Sequence, residues 1–421
     1  MPTSLRPLRP PLPAPRALRR CRPRPGVMSP SSALHVETPL IYSNPLSAAL
    51  GTGAPVFLKL EAMQPCGSFK LRGLGAAAEA AVRGGATRLV SSSGGNAGLA
   101  VAHAARALGV PATVVLPRST PDFVRRRLES YGAAVQARLR RSASTFACPP
   151  HAASAAQVEG AQWAEAHAAA GALAEACGGA LMHPFEGVTT WRGHATLVAE
   201  TVAQLPHAAA GVPGAAAAAL AAGGAPGALV ASVGGGGLLM GCMLGIDNAG
   251  WRDQTELVAA ETVGADCLAQ ALAADALVTL PGAFSGVACF RSVCHGRSGP
   301  DNDAAAFIHF AAITSVATSL GAPTVSAEVF KTCSSWKRSA GVPFHSFVAT
   351  DAQAVAACLR FADDHRLLVE PACGAALAAV YGAAPALARA SSVVVVVCGG
   401  AVVDSASLRR AATQLGLPLP E

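Results

Sequence analysis

Short runs of apolar residues alternate along this chain with longer alanine-rich stretches. Strands buried on both faces are predicted from the apolar runs at 56–60, 87–91, 112–116, 229–233, 257–261 and 393–398. Helices are predicted from the longer stretches at 76–82, 96–108, 121–131, 162–176, 188–205 and 351–364. Such alternation is typical of βαβ units around parallel sheets. The sequence therefore predicts an α/β protein whose ligands bind beyond the carboxyl ends of its strands.

The net charge of +7 comes from one end of the 421-residue chain. Residues 1–27 hold seven arginines and no acidic residue, and the remainder balances 25 basic against 25 acidic residues. A balanced body has no electrostatic footprint for a phosphate backbone, so we expect no nucleic-acid partner. The uncharged stretch 208–246 consists largely of Ala and Gly with two prolines. We therefore expect no membrane span there.

We predict that residues 1–33 form a leader that is disordered or transit-like. The arginine-rich, acid-free stretch 1–27 is typical of an organelle transit segment, but its eight prolines exclude a regular amphipathic helix. Two interpretations stay open. The leader directs the protein to a plastid or mitochondrion, or translation starts at Met28 and the protein is cytoplasmic.

A lysine follows the first predicted strand, in the sequence GSFKLRG at 67–73. The chain has only four lysines, and Lys70 stands next to Phe69 among small residues, just after an apolar run. A lysine in this setting can be desolvated, which lowers the pKa of its amine. Because a neutral amine attacks an aldehyde to form an imine, Lys70 is the candidate nucleophile. The alternative is a solvated surface charge.

The motif SSSGGNAG at 91–98 joins a predicted strand to a predicted helix. Glycines let the backbone approach a ligand closely, and the free N–H groups at the start of a helix bind anions. With the added hydroxyl and amide donors, the motif predicts a carboxylate or phosphate site at Ser92, Ser93, Gly94 and Asn96. The alternative is capping of the helix by Ser93 or Asn96.

Four consecutive glycines, Gly234, Gly235, Gly236 and Gly237, follow another predicted strand. Each costs about 0.5–1 kcal/mol relative to alanine, so the run predicts a backbone that wraps a ligand, with a small phosphate as the best fit. The run lacks the Lys-Ser/Thr pair of a nucleotide P-loop and the spacing of a dinucleotide fingerprint. The alternative is that the run has no function and reflects the high glycine content of the chain.

A final apolar run of five valines ends at Cys398, which precedes a glycine pair. This position at the carboxyl end of a predicted strand makes Cys398 a candidate site residue. The alternative is a buried structural thiol, the commoner role of cysteine.

These motifs occur in the order found in a known family. GSFKLRG, SSSGGNAG, SVGGGGLL, VEPACGAALAAVYG and VVVVVCGG together resemble the serine dehydratases, or serine/threonine deaminases, among fold type II enzymes that use pyridoxal phosphate (PLP). LHVETPL at 34–40 and ALGVPATVVLPRSTP at 107–121 extend the resemblance over most of 34–417. It implies a tryptophan synthase β-like α/β fold, with two open, twisted, mostly parallel sheets flanked by helices, and a homodimer.

The resemblance also implies roles for individual residues. Lys70 would hold PLP as a Schiff base, Phe69 would pack against the cofactor ring, and Cys398 would face the pyridine nitrogen. The cofactor phosphate would be bound by the backbone of Gly234, Gly235, Gly236 and Gly237. The substrate carboxylate would be bound by Ser92, Ser93, Gly94 and Asn96, of which Asn96 would also reach the phenolic oxygen of PLP. A monovalent cation, usually potassium, would lie near Glu261 and Ala265.

The implied reaction is the dehydration and deamination of L-serine to pyruvate and ammonia, with L-threonine to 2-oxobutanoate as a second activity. Serine racemase and a biosynthetic-type threonine deaminase on the same fold are alternative activities. An inactive protein that binds an amino acid or PLP is the alternative of another class, although the presence of Lys70 argues against it.

We expect a discontinuous large PLP-binding domain of residues 34–73 and 188–421 and a small domain of residues 74–187. Two segments, 138–157 and 282–311, break the strand–helix alternation and the family pattern with Pro, Ser, Cys and His and no regular period. We interpret them as retained intron sequence or as lineage-specific surface insertions.

Overall fold

The computed structural model describes residues 33–116, 122–131, 134–136, 155–158, 163–280, 308–309, 314–339 and 344–418. The strands are β1 Leu40–Tyr42, β2 Val56–Lys59, β3 Leu89–Ser91, β4 Ala112–Leu116, β5 Ala134–Gln136, β6 Ala155–Val158, β7 Ala180–Leu181, β8 Ala228–Ser232, β9 Glu256–Thr262, β10 Val278–Thr279, β11 Ile308–His309, β12 Phe344–Ala349 and β13 Val393–Val396. The helices are α1 Asn44–Leu50, α2 Lys70–Arg83, α3 Asn96–Leu108, α4 Asp122–Ser130, α5 Trp163–Ala176, α6 Val188–Ala209, α7 Ala215–Ala221, α8 Gly237–Asn248, α9 Cys267–Ala274, α10 Ala327–Arg338, α11 Asp351–His365, α12 Pro371–Tyr381 and α13 Ser405–Gln414.

The first sheet has six strands in the order β1-β2-β13-β8-β9-β12. β1 is antiparallel to β2, and every other neighbouring pair is parallel. At its centre the four valines of β13 are fully buried, as β-branched residues are in strands covered on both faces. Because β2, β13 and β8 run in the same direction, their carboxyl ends at Lys59, Val396 and Ser232 lie at one edge.

The second sheet is wholly parallel and has five strands in the order β5-β6-β4-β3-β7. Helices α3 and α5 pack against β3 and β4, so the described part is an α/β layer like the first. Strand β6 lies between β5 and β4, so residues 155–157, the end of the segment predicted as an insertion, take part in this sheet. A separate parallel pair joins β10 to β11, which falls within the second atypical segment.

The predicted α/β class, with two mostly parallel sheets flanked by helices, is confirmed. Helix α3 has both of its predicted ends, and β4 matches its predicted run. The helix predicted at 76–82 was too short, because α2 begins at Lys70. Gly73 lowers helix propensity, but it is needed because a Cβ there would collide with the His194 ring of α6. Tertiary packing therefore outweighs local propensity at the start of this helix.

Several predictions fall outside the described residues. They concern the leader through residue 32, residues 138–154 of the first atypical segment, and residues 282–307 and 310–311 of the second. The domain division at residues 74 and 187 stays a prediction. Within the described ranges, no helix is both long and apolar enough to cross a bilayer.

Candidate active site

Lys70 is the first residue of α2 and is tied to the end of β13. The backbone N–H of Phe69 donates to the Cys398 carbonyl at 3.0 Å, and Ser68 forms an antiparallel bridge with Gly399. The Lys70 ammonium Nζ donates to the Pro184 carbonyl at 2.6 Å and lies 5.1 Å from the Phe69 ring centroid. The nucleophile predicted from the sequence therefore lies at the shared carboxyl edge of β2, β13 and β8.

The electrostatic environment makes Lys70 more reactive than a surface lysine. Burial lowers the pKa of its amine from about 10.5 to about 8, and the nearby Glu370 carboxyl opposes that lowering. At pH 7 an amine with a pKa of about 8 is neutral in roughly a tenth of the molecules, against less than a thousandth for an ordinary lysine. The neutral amine is the nucleophilic form.

The start of α2 is anchored by four buried or nearly buried charged residues, Lys59, Glu61, Arg72 and Glu200, here called the ionic cluster. The Arg72 guanidinium is fully buried and contacts both Glu61 oxygens at 2.7 Å and both Glu200 oxygens at 2.6 Å. The Lys59 ammonium donates to Glu200 at 2.6 Å. The two negative charges of the cluster thus balance its two positive charges. Arg72, two residues after Lys70, ties the start of α2 to this cluster.

The serine- and glycine-rich loop lies between β3 and α3. Its last residue, Asn96, is buried and starts α3, and its amide donates to Glu370 Oε1 at 2.7 Å. Among the described residues the Asn96 amide oxygen has no hydrogen-bond partner. The Ser93 hydroxyl accepts the N–H of Gly95 at 3.3 Å, so Ser93 also stabilises the turn before the helix. An unpartnered buried acceptor is costly, which favours a polar ligand at Asn96.

Ser92, in the same loop, is fully buried and has a partner within the protein. Its hydroxyl lies 2.8 Å from Nδ1 of His167 on α5. The His167 ring meets the ring of His183 edge-on, with centroids 5.4 Å apart, and we call these two residues the histidine pair. The sequence analysis identified neither histidine, because they are brought together by folding over long separations along the chain.

The four-glycine run connects β8 to α8 with a sharp turn. Gly236 has a φ of +89°, a left-handed conformation that favours glycine, and it precedes the first residue of α8. In the part of the chain that the structure describes, the backbone N–H groups of 234–239 make no hydrogen bond. These free donors at a helix start suit an anion.

Protein packing also leaves no room for a Cβ at Gly235, Gly236 or Gly237. A Cβ at Gly235 would collide with the Phe185 ring, and one at Gly237 would lie 2.7 Å from the Phe185 carbonyl oxygen. That carbonyl accepts the indole N–H of Trp191 at 2.9 Å, which holds Phe185 in place. Phe185 directly follows the Pro184 carbonyl that binds Lys70. Segment 183–187 therefore contacts both the glycine run and the candidate nucleophile.

Cys398 follows β13 and is buried near the end of β8. Its thiol lies 3.9 Å from the Ser232 hydroxyl. The neighbouring Cys373 thiol and burial together hold the pKa of Cys398 well above its usual value, so the thiol stays protonated near neutral pH. The site therefore presents a neutral group at this position.

Two further site residues were missed by the sequence analysis. Glu370, just before α12, is buried and binds Asn96, and burial raises the pKa of its carboxyl to about 7 against the lowering by the Asn96 bond. His194 is fully buried between Phe69, 5.0 Å from its ring, and Gly73, and neither nitrogen has a partner among the described residues. Glu370 stands within the VEPACG motif, which was used for the resemblance without assigning its carboxylate a role.

Of the two residues predicted near a cation, Glu261 is the second-last residue of β9 and Ala265 lies in the turn between β9 and α9. Both oxygens of the fully buried Glu261 accept N–H groups of α9, from Leu268 at 2.9 Å and Ala269 at 2.8 Å. Burial raises the pKa of this carboxyl to about 8. The Ala265 N–H donates to Thr262 across the turn. In this arrangement Glu261 caps a helix, and no group of three or more His, Cys, Asp or Glu that could hold a metal occurs among the described residues.

The described contacts bring most of the predicted site residues together. Lys70, Phe69 and Cys398 are joined through the backbone, Asn96 is reached through Glu370, and the glycine run through segment 183–187. Glu261 and Ala265 lie at the end of β9, the strand next to β8, and Cys267 beyond them contacts the Gly234 carbonyl at 3.6 Å.

Comparison with known proteins agrees with this geometry. A protein-family profile described as "Pyridoxal-phosphate dependent enzyme" matches residues 32–399. The Homo sapiens protein named "Serine dehydratase-like" is 40% identical over 390 residues, covering 91% of this chain and 95% of the human protein. The Mus musculus "L-serine dehydratase/L-threonine deaminase" is 37% identical over 404 residues, covering 94% of this chain and all of the mouse protein.

A solved structure shares the fold over the same length. The L-serine ammonia-lyase of the fungus Rhizomucor miehei superposes with a TM-score of 0.68 at 29% identity, covering 90% of this chain and 99% of the fungal chain. Sequence similarity and fold similarity thus extend across nearly the whole chain, including the loops around Lys70. This chain belongs to the family of pyridoxal-phosphate dependent enzymes.

Proposed function

We propose that this chain dehydrates and deaminates L-serine to pyruvate and ammonia, and converts L-threonine to 2-oxobutanoate as a second activity. The observation that carries the proposal is the half-buried Lys70 amine, with a pKa of about 8, at the meeting point of the predicted loops. Family membership and the names of the similar human, mouse and fungal proteins support the same reaction class.

The residues present fit pyridoxal phosphate. Lys70 would hold the cofactor covalently through Nζ, and the free N–H groups of 234–239 would bind its phosphate. The unpartnered amide oxygen of Asn96 and the neutral thiol of Cys398 offer polar contacts for its ring. When bound, PLP supplies a conjugated ring that accepts negative charge from the substrate Cα.

The side chains have separate tasks in the proposed reaction. The neutral Lys70 amine accepts the proton from the substrate Cα, which its lowered pKa allows near neutral pH. The protonated Cys398 thiol carries no negative charge, so it does not hold a proton on the ring nitrogen as a carboxylate would, which favours elimination over transamination. Phe69, in van der Waals reach of His194, would support one face of the ring.

We propose that Ser92, Ser93, Gly94 and Asn96 bind the substrate carboxylate. The start of α3 supports this role because it offers hydroxyl, amide and backbone N–H donors within one turn. The glycine at position 98 lets the Ser93 carbonyl pack directly on α3, since any Cβ there would collide with it. Isothermal titration with L-serine into Asn96→Ala and wild-type protein tests the assignment, which predicts weaker binding to the variant.

We also propose a monovalent cation, potassium, near Glu261 and Ala265. The support for this proposal is the buried Glu261 carboxyl group. Both of its oxygens already accept N–H groups at the start of α9. Activity measured in potassium against tetramethylammonium buffers tests it. Equal rates in the two buffers contradict the proposal.

We further propose a homodimer in the cytoplasm, with the domain division given by residues 74 and 187. We also propose that segments 138–157 and 282–311 are insertions, although residues 155–157 and 308–309 take part in strands β6 and β11. Sequencing of transcripts decides whether they are retained introns. Light scattering of the purified protein tests the dimer. Fluorescent fusions with and without residues 1–27 separate a cytoplasmic location from a plastid or mitochondrial one.

One assay tests the proposed reaction against its rivals. Wild-type protein loaded with PLP should absorb in the visible imine band and release pyruvate from L-serine, detected with lactate dehydrogenase. Lys70→Ala should release none, while Lys331→Ala, which changes a lysine with 78% of its side chain exposed, should match the wild type. Pyruvate from Lys70→Ala refutes the assignment, and D-serine without pyruvate identifies a racemase.

A further inference from the structure

The hydroxyl of Ser92 has a defined hydrogen-bond partner outside its own loop. Ser92 is fully buried, and its Oγ lies 2.8 Å from Nδ1 of His167, a residue 75 positions further along the chain on α5. The proposed function gives this hydroxyl a second partner, the substrate carboxylate. Whether one hydroxyl can serve both partners depends on the direction of its bond to His167.

Proton counting allows one direction only. A serine hydroxyl has a single hydrogen to donate, and a carboxylate accepts hydrogen bonds without donating any. If Ser92 donates to Nδ1, it has no hydrogen left for the substrate. If Nδ1 carries the proton and donates to Oγ, the Ser92 hydrogen is free to point to the carboxylate. A substrate-binding Ser92 thus requires the Nδ1–H tautomer of His167.

The surroundings keep both members of the histidine pair neutral. Burial lowers the pKa of His167, and the Glu186 carboxylate opposes this effect. Burial, with His167 and Lys70, lowers the pKa of His183 to about 4. His183 Nδ1 accepts the N–H of Glu186 at 2.9 Å, so the neutral His183 ring carries its proton on Nε2. The tautomer of His183 is thereby assigned.

We propose that His167 is a positioning residue that donates from Nδ1 to Ser92 and so orients the Ser92 hydroxyl toward the substrate carboxylate. The proposal rests on the proposed function for the identity of that carboxylate. His167 acts through Ser92 and touches neither cofactor nor substrate, so its loss should weaken substrate binding and leave the chemical step nearly intact.

Kinetics with paired variants test this role. His167→Leu should raise the KM for L-serine on the order of tenfold, the worth of one hydrogen bond to a charged group, and change kcat less than about threefold. His167→Asn places an amide nitrogen near the position of Nδ1 and should restore KM to within about threefold of the wild type. The matched control His345→Leu, on β12, should leave KM unchanged.

A double-mutant cycle separates positioning from general disruption. Ser92→Ala and Ser92→Ala/His167→Leu should have the same KM, because His167 has nothing left to orient. An unchanged KM in His167→Leu, or additive effects in the cycle, overturns the proposal. Unfolding midpoints of each variant show whether a change in KM accompanies a loss of structure.

Nitrogen NMR of the PLP-loaded wild-type protein, labelled with ¹⁵N-histidine, reads the tautomer without any turnover. The His167→Asn spectrum assigns the His167 signals. A protonated Nδ1 that shifts in Ser92→Ala supports the proposal, and a proton on Nε2 with an accepting Nδ1 overturns it. Absence of pyruvate from L-serine in the wild type would instead overturn the proposed function, while the NMR result still decides the direction of the hydrogen bond.

Discussion

Beneath Lys70 the candidate site rests on buried ions, whereas around Ser92 it rests on neutral imidazoles. In the ionic cluster, Glu61 and Glu200 outweigh burial and raise the pKa of Arg72, and Arg72 outweighs burial and lowers the pKa of Glu200. In the histidine pair, burial lowers both pKa values. The helix that carries the nucleophile is thus held by groups that stay charged, and the substrate loop by groups that stay neutral.

This difference between the ionic cluster and the histidine pair suits the element that each of them holds in place. A buried ion cluster has a high penalty for losing any one member, so it fixes the position of α2 firmly. Neutral hydrogen bonds can change direction at little cost, so they suit a loop that meets a substrate. The comparison therefore predicts large stability effects beneath Lys70 and smaller, function-specific effects around Ser92.

The largest effect should come from Arg72→Met. Removing the guanidinium leaves Glu61 fully buried without its charged partner, which costs about 3–5 kcal/mol of unfolding free energy. Arg338→Met is the matched control, because its ion pair with Asp275 lies at 3.4 Å between side chains that are 65% and 80% exposed. It should change stability by less than about 1 kcal/mol. Urea unfolding measures both, and equal losses would break the comparison.

An intermediate effect is expected from Gly235→Ala. The new methyl group would collide with the Phe185 ring, and such overpacking costs about 1–3 kcal/mol. Gly171→Ala in α5 is the control, since its Cβ would meet Leu181 at an ordinary 3.9 Å and the substitution should stabilise the helix by up to about 1 kcal/mol. Thermal unfolding of the two variants should shift in opposite directions. Shifts in the same direction would show that Phe185 does not pack on the glycine run as described.

The smallest effect should be the pH dependence that His183 contributes. Its pKa falls from 6.5 to about 4 on folding, so below pH 6.5 the unfolded chain binds a proton that the folded chain refuses. Stability is therefore lost as the pH falls through this window. His183→Asn keeps an acceptor for the Glu186 N–H but does not titrate. Between pH 7 and pH 5 the full shift corresponds to a loss of roughly 2 kcal/mol. Because solvent screens the partly exposed ring, we expect the wild type to lose about 1 kcal/mol more than the variant, and parallel stability curves would contradict the neutral assignment.

The sequence was sufficient to predict the fold class and the loops of the site, because both follow from local patterns. Periodicity indicated the strands, and strand–turn–helix order placed Lys70, the glycine run and Cys398 at carboxyl ends. It could not show that Arg72 joins the carboxylates of Glu61 and Glu200. Nor could it show that Asn96 binds Glu370 or that Ser92 contacts His167. These contacts join residues that are distant in the chain, and no local spacing distinguishes His167 from a surface histidine of α5.

The central claim is that Lys70, among four lysines, holds the cofactor. Borohydride reduction of the PLP-loaded protein, followed by peptide mass spectrometry, tests it most directly because reduction fixes an imine to its lysine. We predict the cofactor mass on the peptide that contains Lys70 and on none that contains Lys59, Lys331 or Lys337. Cofactor mass on another lysine, or an unmodified Lys70 in protein that shows the visible imine band, would contradict the account.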